Sequence, residues 1–211
     1  MKEELKRLVD EHPELANKAG AIAECYAAML SCFQNGGKLM LCGNGGSACD
    51  CEHIAGELMK GFYLKRPLRG EEKAAVHQTT DALLPETAEI LQQGLPAIAL
   101  TGHAALSTAV QNDIDPLLGP AQQVVALGKP GDVVIGISTS GNAKNAALAV
   151  SVAKALKMHT LALTGGAGGR LKSICEHAIV VPGSSPADVQ ELHLPVYHTL
   201  CAMLEAKFFT E

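Results

Sequence analysis

Two short loops rich in glycine and hydroxyl side chains are the parts of this sequence best suited to bind an anion. They run from Gly43 to Ser47 and from Ser138 to Asn142, and each follows an apolar run and precedes a predicted helix. Glycine lets the backbone approach a ligand closely, and free N–H groups at a helix start favour phosphate. The candidate binding residues are Asn44, Gly45, Gly46, Ser47, Ser138, Thr139, Ser140 and Asn142.

The same polar side chains can instead cap the helices that follow, because strand–glycine–helix turns are common in proteins of any function. Two such loops in one chain favour phosphate binding over capping alone. Neither loop matches the dinucleotide-binding or Walker pattern, so a nucleotide is the less favoured ligand.

A histidine and a glutamate follow the first loop at helical spacing. His53 and Glu57 lie four residues apart on a predicted helix and therefore on one face. Such a pair can chelate a metal ion, or act as a base and the group that orients it. A solvated pair at the edge of the core would have the same spacing. Cys49 and Cys51 precede His53, but C-x-C-x-H is not a usual zinc-site spacing.

The last predicted helix carries further polar side chains among apolar ones. Gln190 and His198 are separated by two steps of four residues and share one stripe, whereas His193 falls off that stripe. A buried polar stripe needs partners and would indicate a site, whereas a surface stripe needs no function.

Together these residues predict proton transfer on a phosphorylated small molecule. The sequence supplies two phosphate loops, two histidines, a carboxylate and an amide. Interconversion of a ketose and an aldose needs a base near neutral pKa, an acid opposite it and an electrophile that stabilises the enediolate. A zinc ion can act as that electrophile.

The pattern of apolar runs predicts a parallel sheet covered by helices, since short apolar strands alternate with helical stretches. The predicted strands lie at residues 38–42, 95–100, 133–137, 159–163 and 178–181. The predicted helices lie at residues 13–35, 47–63, 84–93, 117–127, 143–156 and 187–208. Both hydroxyl loops then lie at the carboxyl edge of the sheet, where such sheets bind ligands.

Composition excludes several classes of function. The 211 residues carry a formal net charge of -5 and only 3% aromatic residues, which argues against nucleic acid because a phosphate backbone needs a basic face. The sequence contains no run of 18 apolar residues, so no membrane span is predicted. Its first residues are charged and do not have the pattern of a signal peptide. The seven cysteines are interpreted as reduced and mostly buried, which predicts a cytoplasmic protein.

Four segments, taken together, resemble the sugar isomerase (SIS) family. These segments are Gly43–Ser47, Gly136–Asn142, Leu163–Gly166 and Val189–His193. The resemblance implies a single SIS domain over residues 1–211, built as a three-layer α/β sandwich with a five-stranded parallel sheet flanked by helices. About residues 68–93 fall outside it and are interpreted as an insertion. The family also implies a homotetramer with active sites at subunit interfaces.

Within the family, the sequence is most similar to isomerases of a seven-carbon ketose phosphate. This similarity implies conversion of sedoheptulose 7-phosphate to D-glycero-D-manno-heptose 7-phosphate. It implies one zinc ion per active site, held by His53, Glu57, Gln190 and His198, with Glu57 as the proton-transferring base and His198 as its acid partner. The substrate would contact Gln190 as well as the two loops, with phosphate on Ser138, Thr139 and Ser140 and the sugar near Asn44 and Ser47.

The sequence departs from the family pattern at three places. Ala143 stands where a further phosphate-side serine is usual, and Ala48 where a polar residue commonly follows the first loop. Gly102 and His103 follow the second predicted strand where an acidic residue is common, and His103 is a candidate to replace it in orienting substrate. These departures leave the exact sugar open.

Two alternatives to this isomerase therefore remain. One is a non-catalytic SIS protein that binds a replication initiator, against which the retained His198 argues. The other is an SIS enzyme that acts on a different sugar phosphate.

Overall fold

The computed structural model describes residues 2–80 and 82–210, in which five strands form one sheet. The strand order is β2-β1-β3-β4-β5, and every neighbouring pair is parallel. This arrangement confirms the predicted fold class. The strands are β1 (Leu39–Cys42), β2 (Ala97–Ala99), β3 (Val133–Ser138), β4 (His159–Gly165) and β5 (His177–Val181).

Helices cover both faces of the sheet. Helices α1, α2, α3 and α10 pack on one face, and α7, α8 and α9 on the other. No helix in the described part of the chain has both the length and the apolar character needed to cross a membrane. The helices are α1 (Lys2–Glu11), α2 (Ala19–Gln34), α3 (Gly46–Met59), α4 (Gly70–Thr80), α5 (Thr87–Ile90), α6 (Ala104–Asp113), α7 (Gly119–Leu127), α8 (Lys144–Ala155), α9 (Gly169–Ile174) and α10 (Pro186–Phe209), with a 3₁₀ turn at Pro13–Lys18.

Alternate side chains of the strands build two cores. Successive Cβ atoms of a strand point to opposite faces, so Leu39 and Leu41 join the core under α2, α3 and α10, whereas Met40 and Cys42 join the core under α7 and α8. Every residue of β1 and β3 is buried. This is why the strands read as continuous apolar runs rather than as alternating ones.

The segment interpreted as an insertion differs from the sequence expectation. The helix predicted over 84–93 is wrong for most of its length, since only α5 forms there. Glu86 has a left-handed φ of 68° and directly follows Pro85, which prevents the helix from extending back to Leu84. Helix α4 was not predicted because it buries no residue and has no apolar stripe. Its status as an insertion stays a prediction.

The strand order brings the two hydroxyl loops together. Strand β1 pairs with β2 on one side and with β3 on the other, so the winding of the sheet reverses between β1 and β3. Open parallel sheets bind ligands outside the carboxyl ends of the strands at such a point. The loops after β1 and β3 are those that the sequence singles out.

A buried ion pair joins α10 to the chain that follows α3. Arg66 donates from Nε to Glu205 Oε1 at 2.9 Å, and both side chains are at most 1% exposed. Glu205 also accepts hydrogen bonds from the backbone amides of residues 62–64. Arg66 donates in addition to the carbonyls of Leu58 and Glu57, at 2.7 and 3.1 Å. The pair therefore fixes the end of α3 to α10.

Replacing Glu205 tests how much the fold depends on this pair. We expect Glu205→Gln to lower the free energy of unfolding by about 3–5 kcal/mol, because the buried Arg66 charge loses its partner. Chemical unfolding followed by circular dichroism measures the loss. Lys6→Ala is the control, since its pair with Asp10 is exposed and contributes no more than about 1 kcal/mol. Equally small losses in both variants would contradict the importance of the buried pair.

The same carboxylate makes stability depend on pH. Burial alone would raise the pKa of Glu205, but the hydrogen bonds from the amides of residues 62–64 and from Arg66 outweigh it and lower the pKa. Such a group stabilises the fold above its unfolded pKa of about 4.3 and loses that contribution as the pH falls through its folded pKa. The difference in unfolding free energy between wild type and Glu205→Gln should therefore shrink below about pH 4. A difference that stays constant to the point of acid unfolding would refute this.

Candidate active site

The two loops line one pocket at the carboxyl edge of the sheet. The pocket has a volume of about 280 Å³, and Gln190 of α10 closes one side of it. It lies at the switch point between β1 and β3, as the sheet order requires. Its lining residues are Asn44, Ser47, Ile137, Ser138, Thr139, Ser140, Asn142, Ala143 and Gln190. All the predicted substrate-binding residues except the two glycines thus lie around one space.

Neither loop uses a side chain to cap the helix that follows it. The N-cap residues are Gly45 for α3 and Ala143 for α8, and neither makes a side-chain capping hydrogen bond. The positive ends of both helix dipoles therefore face the pocket without a capping group. None of these polar side chains caps the helix that directly follows its own loop, so that alternative is wrong for α3 and α8, and the arrangement there suits an anion. Asn142 does accept a hydrogen bond from the amide of Arg170 in the first turn of α9.

The Gln190 side chain of α10 lies directly against Gly46 of α3. A Cβ atom on Gly46 would overlap the side-chain amide of Gln190. Gly46 is the first residue of α3, so Gln190 lies against the N-terminal turn of that helix. Substrate bound in the pocket would meet the Gln190 amide and the start of α3 together.

The amides of Asn44 and Asn142 are engaged within the loops. Asn44 exchanges two hydrogen bonds with Asn145, at 2.9 and 2.8 Å, which ties the β1 loop to the start of α8. Asn142 donates to the Ser140 carbonyl at 3.0 Å and accepts from the Arg170 amide at 3.1 Å. Both asparagines thus shape the pocket, which leaves the hydroxyls of the second loop as its more available donors.

Two histidines and a glutamate meet where α3 and α10 lie side by side. His53 Nε2 is 3.3 Å from Glu57 Oε1 and 3.3 Å from His198 Nε2. Glu57 Oε2 is 3.4 Å from the Lys60 ammonium group. Burial and the neighbouring His53 lower the pKa of His198, although Glu57 acts in the opposite direction. His198 is therefore a neutral imidazole near pH 7, beside a carboxylate.

These three side chains have the chemistry of a zinc site. Two imidazoles and a carboxylate are usual zinc ligands, and the 3.3 Å separations match the roughly 3.3 Å between ligands of a tetrahedral site with bonds of about 2.0–2.1 Å. As they stand, however, no three His, Cys, Asp or Glu side chains within 2–80 and 82–210 form a group that could hold a metal ion. Gln190 lies against Gly46, two helical turns before His198. Zinc ligation by all four residues therefore requires side-chain rotation, and it stays a prediction.

His193 faces the core rather than this site. Its side chain is fully buried, and neither ring nitrogen has a hydrogen-bond partner among the described residues. Burial lowers its pKa to about 4, so the ring is neutral. Gln190 and His198 are partly exposed, whereas His193 is buried. This agrees with the prediction that Gln190 and His198 share one stripe of the helix and that His193 lies off it.

Sequence reasoning missed two contacts of the site. The Tyr197 hydroxyl lies 3.0 Å from His53 Nδ1 and 3.4 Å from Asp50 Oδ1. Asp50 is detectable from sequence, since it lies one turn before His53 on α3, but the position of Tyr197 depends on how α10 packs. His103 contacts Gln123 Oε1 at 2.6 Å, and its predicted role toward substrate stays a prediction.

Comparison with known proteins identifies the family of this chain. The family model for the SIS domain matches residues 3–91 and 86–165. The phosphoheptose isomerase of Akkermansia muciniphila is 33% identical over 96% of this chain and 93% of that protein. The phosphoheptose isomerase of Campylobacter jejuni is 37% identical over 94% of this chain and 95% of that protein.

Two solved structures share the whole architecture. The phosphoheptose isomerase from Neisseria gonorrhoeae superposes with a TM-score of 0.72 at 31% identity, covering 96% of this chain and 94% of that one. The one from Francisella tularensis gives a TM-score of 0.72 at 36% identity, covering 88% and 85%. Matches of this identity over most of both chains show that this chain belongs to the phosphoheptose isomerase family of SIS-domain enzymes.

Proposed function

We propose that this protein interconverts sedoheptulose 7-phosphate and D-glycero-D-manno-heptose 7-phosphate by proton transfer. The observation that carries the proposal is the meeting of Glu57, His53 and His198 within 3.3 Å contacts on the two helices that also border the phosphate-type pocket. Its relatives named phosphoheptose isomerase support the choice of substrate.

The chain's own residues can divide the reaction between them. Glu57 removes the proton from carbon 1 of the ketose and returns it to carbon 2, which gives the aldose. His198, neutral near pH 7, moves a proton between the two substrate oxygens. The hydroxyl groups of Thr139 and Ser140 donate hydrogen bonds to the phosphate. The uncapped N-terminal ends of α3 and α8 stabilise its negative charge.

The spacing along the helices suits a long substrate. Gln190 borders the pocket and His198 follows it by eight residues, which corresponds to about 12 Å of helix. An extended seven-carbon sugar phosphate is on the order of 10 Å long, from single bonds near 1.5 Å. A phosphate in the pocket would therefore leave carbons 1 and 2 near Glu57 and His198, whereas a three-carbon sugar phosphate would not reach them.

We also propose zinc as the cofactor, held by His53, Glu57, Gln190 and His198, for which the Gln190 side chain must turn from the pocket toward His198. When bound, it would act as a Lewis acid toward the oxygens of carbons 1 and 2. The types of donor and the separations centred on His53 support this assignment.

We infer a homotetramer that acts in the cytoplasm. Large apolar side chains lie exposed on one chain alone, including Leu83 at 86%, Ile90 at 63% and Met59 at 57%, and association with further copies would cover such residues. All seven cysteines are unpaired, which supports a reducing compartment.

Turnover of sedoheptulose 7-phosphate is the direct test. We expect zinc-loaded wild type to form the aldose, and Glu57→Gln to lose about 10²–10⁴-fold of the rate while folding normally, because the change removes the base and keeps the shape. Glu24→Gln, at an exposed position of α2, is the matched control and should retain wild-type activity. Absence of product from this or any other ketose phosphate would refute the isomerase and favour the initiator-binding alternative.

Metal analysis tests the cofactor separately. After zinc loading and dialysis, we expect one zinc ion per active site in the wild type by mass spectrometry, and strongly reduced zinc in His53→Asn and His198→Asn. His12→Asn, near the N-terminus, should retain the metal. A wild type that isomerises the sugar without retaining zinc would contradict the cofactor and leave the reaction standing.

A further inference from the structure

The side chains of Asp50, Tyr197 and His53 form a hydrogen-bonded chain behind the proposed catalytic centre. The Tyr197 hydroxyl donates to Asp50 Oδ1 at 3.4 Å and also lies 3.0 Å from His53 Nδ1. Asp50 and His53 lie one turn apart on α3, and Tyr197 belongs to α10. The chain therefore crosses the same helix pair that carries Glu57 and His198.

Tyr197 is held rigidly. It is 2% exposed, and its ring packs edge-on against His53 and against His198, with centroid distances of 5.4 and 5.0 Å. Below the hydroxyl, the ring borders the apolar core with Ile54 and Met29. The hydroxyl thus has one place to lie, between Asp50 and His53.

The direction of the hydrogen bonds follows from the donors available. A tyrosine hydroxyl has one proton, and an ionised carboxylate only accepts. If the Tyr197 proton goes to Asp50, the contact with His53 requires an N–H on Nδ1 that donates to the tyrosine oxygen. Asp50 has no alternative donor, since its Oδ2 is buried without a partner among the described residues. His53 Nε2 is then the nitrogen that keeps its lone pair.

That lone pair faces the reactive groups, since Nε2 is the atom 3.3 Å from Glu57 Oε1 and from His198 Nε2. We propose that Tyr197 is a positioning residue, which together with Asp50 fixes His53 in the tautomer protonated on Nδ1 and so presents Nε2 as a ligand or proton acceptor to the site. This inference deepens the proposed function, on which it rests for the importance of His53.

The opposite tautomer would have the opposite effect. With the proton on Nε2, His53 would donate a hydrogen bond to Glu57 Oε1, which would occupy the proposed base and leave no nitrogen available to a cation. Groups that orient a metal-binding histidine through its other nitrogen are generally important, since their loss weakens metal binding by about 10–100-fold. Tyr197 is the group that contacts the other nitrogen of His53, Nδ1.

Nuclear magnetic resonance of the metal-free, nitrogen-15-labelled protein reads the tautomer directly, without any sugar present. The signals of His53 are assigned by their absence from His53→Gln, at a pH where the ring is neutral. We expect wild-type His53 to be mainly protonated on Nδ1 and Tyr197→Phe to shift most of the population to Nε2. Zinc affinity, measured by competition with a chelator, should fall about 10–100-fold in Tyr197→Phe.

Tyr26→Phe is the matched control, because it also removes a hydroxyl from a buried tyrosine but lies on α2. It should leave both the tautomer and the zinc affinity unchanged. Asp50→Ala gives a second variant in case Tyr197→Phe folds poorly, and it should raise the Nε2-protonated fraction because the tyrosine proton is then free to turn toward His53.

Two results would overturn the inference. One is a wild-type His53 that is mainly protonated on Nε2, which needs no variant to observe. The other is a tautomer that Tyr197→Phe leaves unchanged. Neither result depends on turnover, so a protein with the expected tautomer that fails to isomerise heptose phosphate would refute only the proposed function.

Discussion

The candidate active site depends on α3 and α10 lying side by side in fixed register, and the buried Arg66–Glu205 pair sets that register at one end. Removing two charges from water is costly, and an apolar pair of similar size often gives equal or greater stability. An apolar pair would not, however, make directional hydrogen bonds that fix how α3 lies against α10. Arg66 binds the Glu205 carboxylate and two carbonyls of α3 at the same time, one of them the carbonyl of Glu57. The planar guanidinium can make these bonds together, which a lysine could not.

An acidic chain that binds a phosphorylated sugar must attract the anion locally. The net charge is -5, and none of the residues that line the pocket is a lysine or an arginine. Hydroxyl groups and two uncapped helix starts remain as the sources of positive potential. The sheet order explains why two helix starts converge, since the switch point lies between β1 and β3. The strand order thus provides at the pocket the positive potential that the acidic composition of the chain does not.

Sequence reasoning predicted the sheet and both loops because each has a local signal. Buried parallel strands read as apolar runs, and glycine with hydroxyls at a strand end indicates a binding loop. The spacing of His53 and Glu57 also placed them on one face, the spacing on the last helix placed Gln190 and His198 on one stripe, and the family resemblance assigned their roles. Contacts between distant segments had no such signal. Arg66 and Glu205 are 139 residues apart in the chain, and Tyr197 reads as an ordinary core residue of an apolar helix. Helix α4 was missed because it has no apolar face.

The two ends of the helix pair are fixed by different means, and this difference bears on the choice of substrate. At the pocket, the absence of a side chain on Gly46 lets Gln190 contact the start of α3, whereas at the far end the Arg66–Glu205 pair holds the last turn of α3. Because a helix changes length little between such points, the distance from the phosphate loops to Glu57 and His198 is set by the backbone. Selection for the length of the sugar would then follow from helix geometry, while the departure at Ala143, which lines the pocket, would affect only the contacts made at the phosphate end.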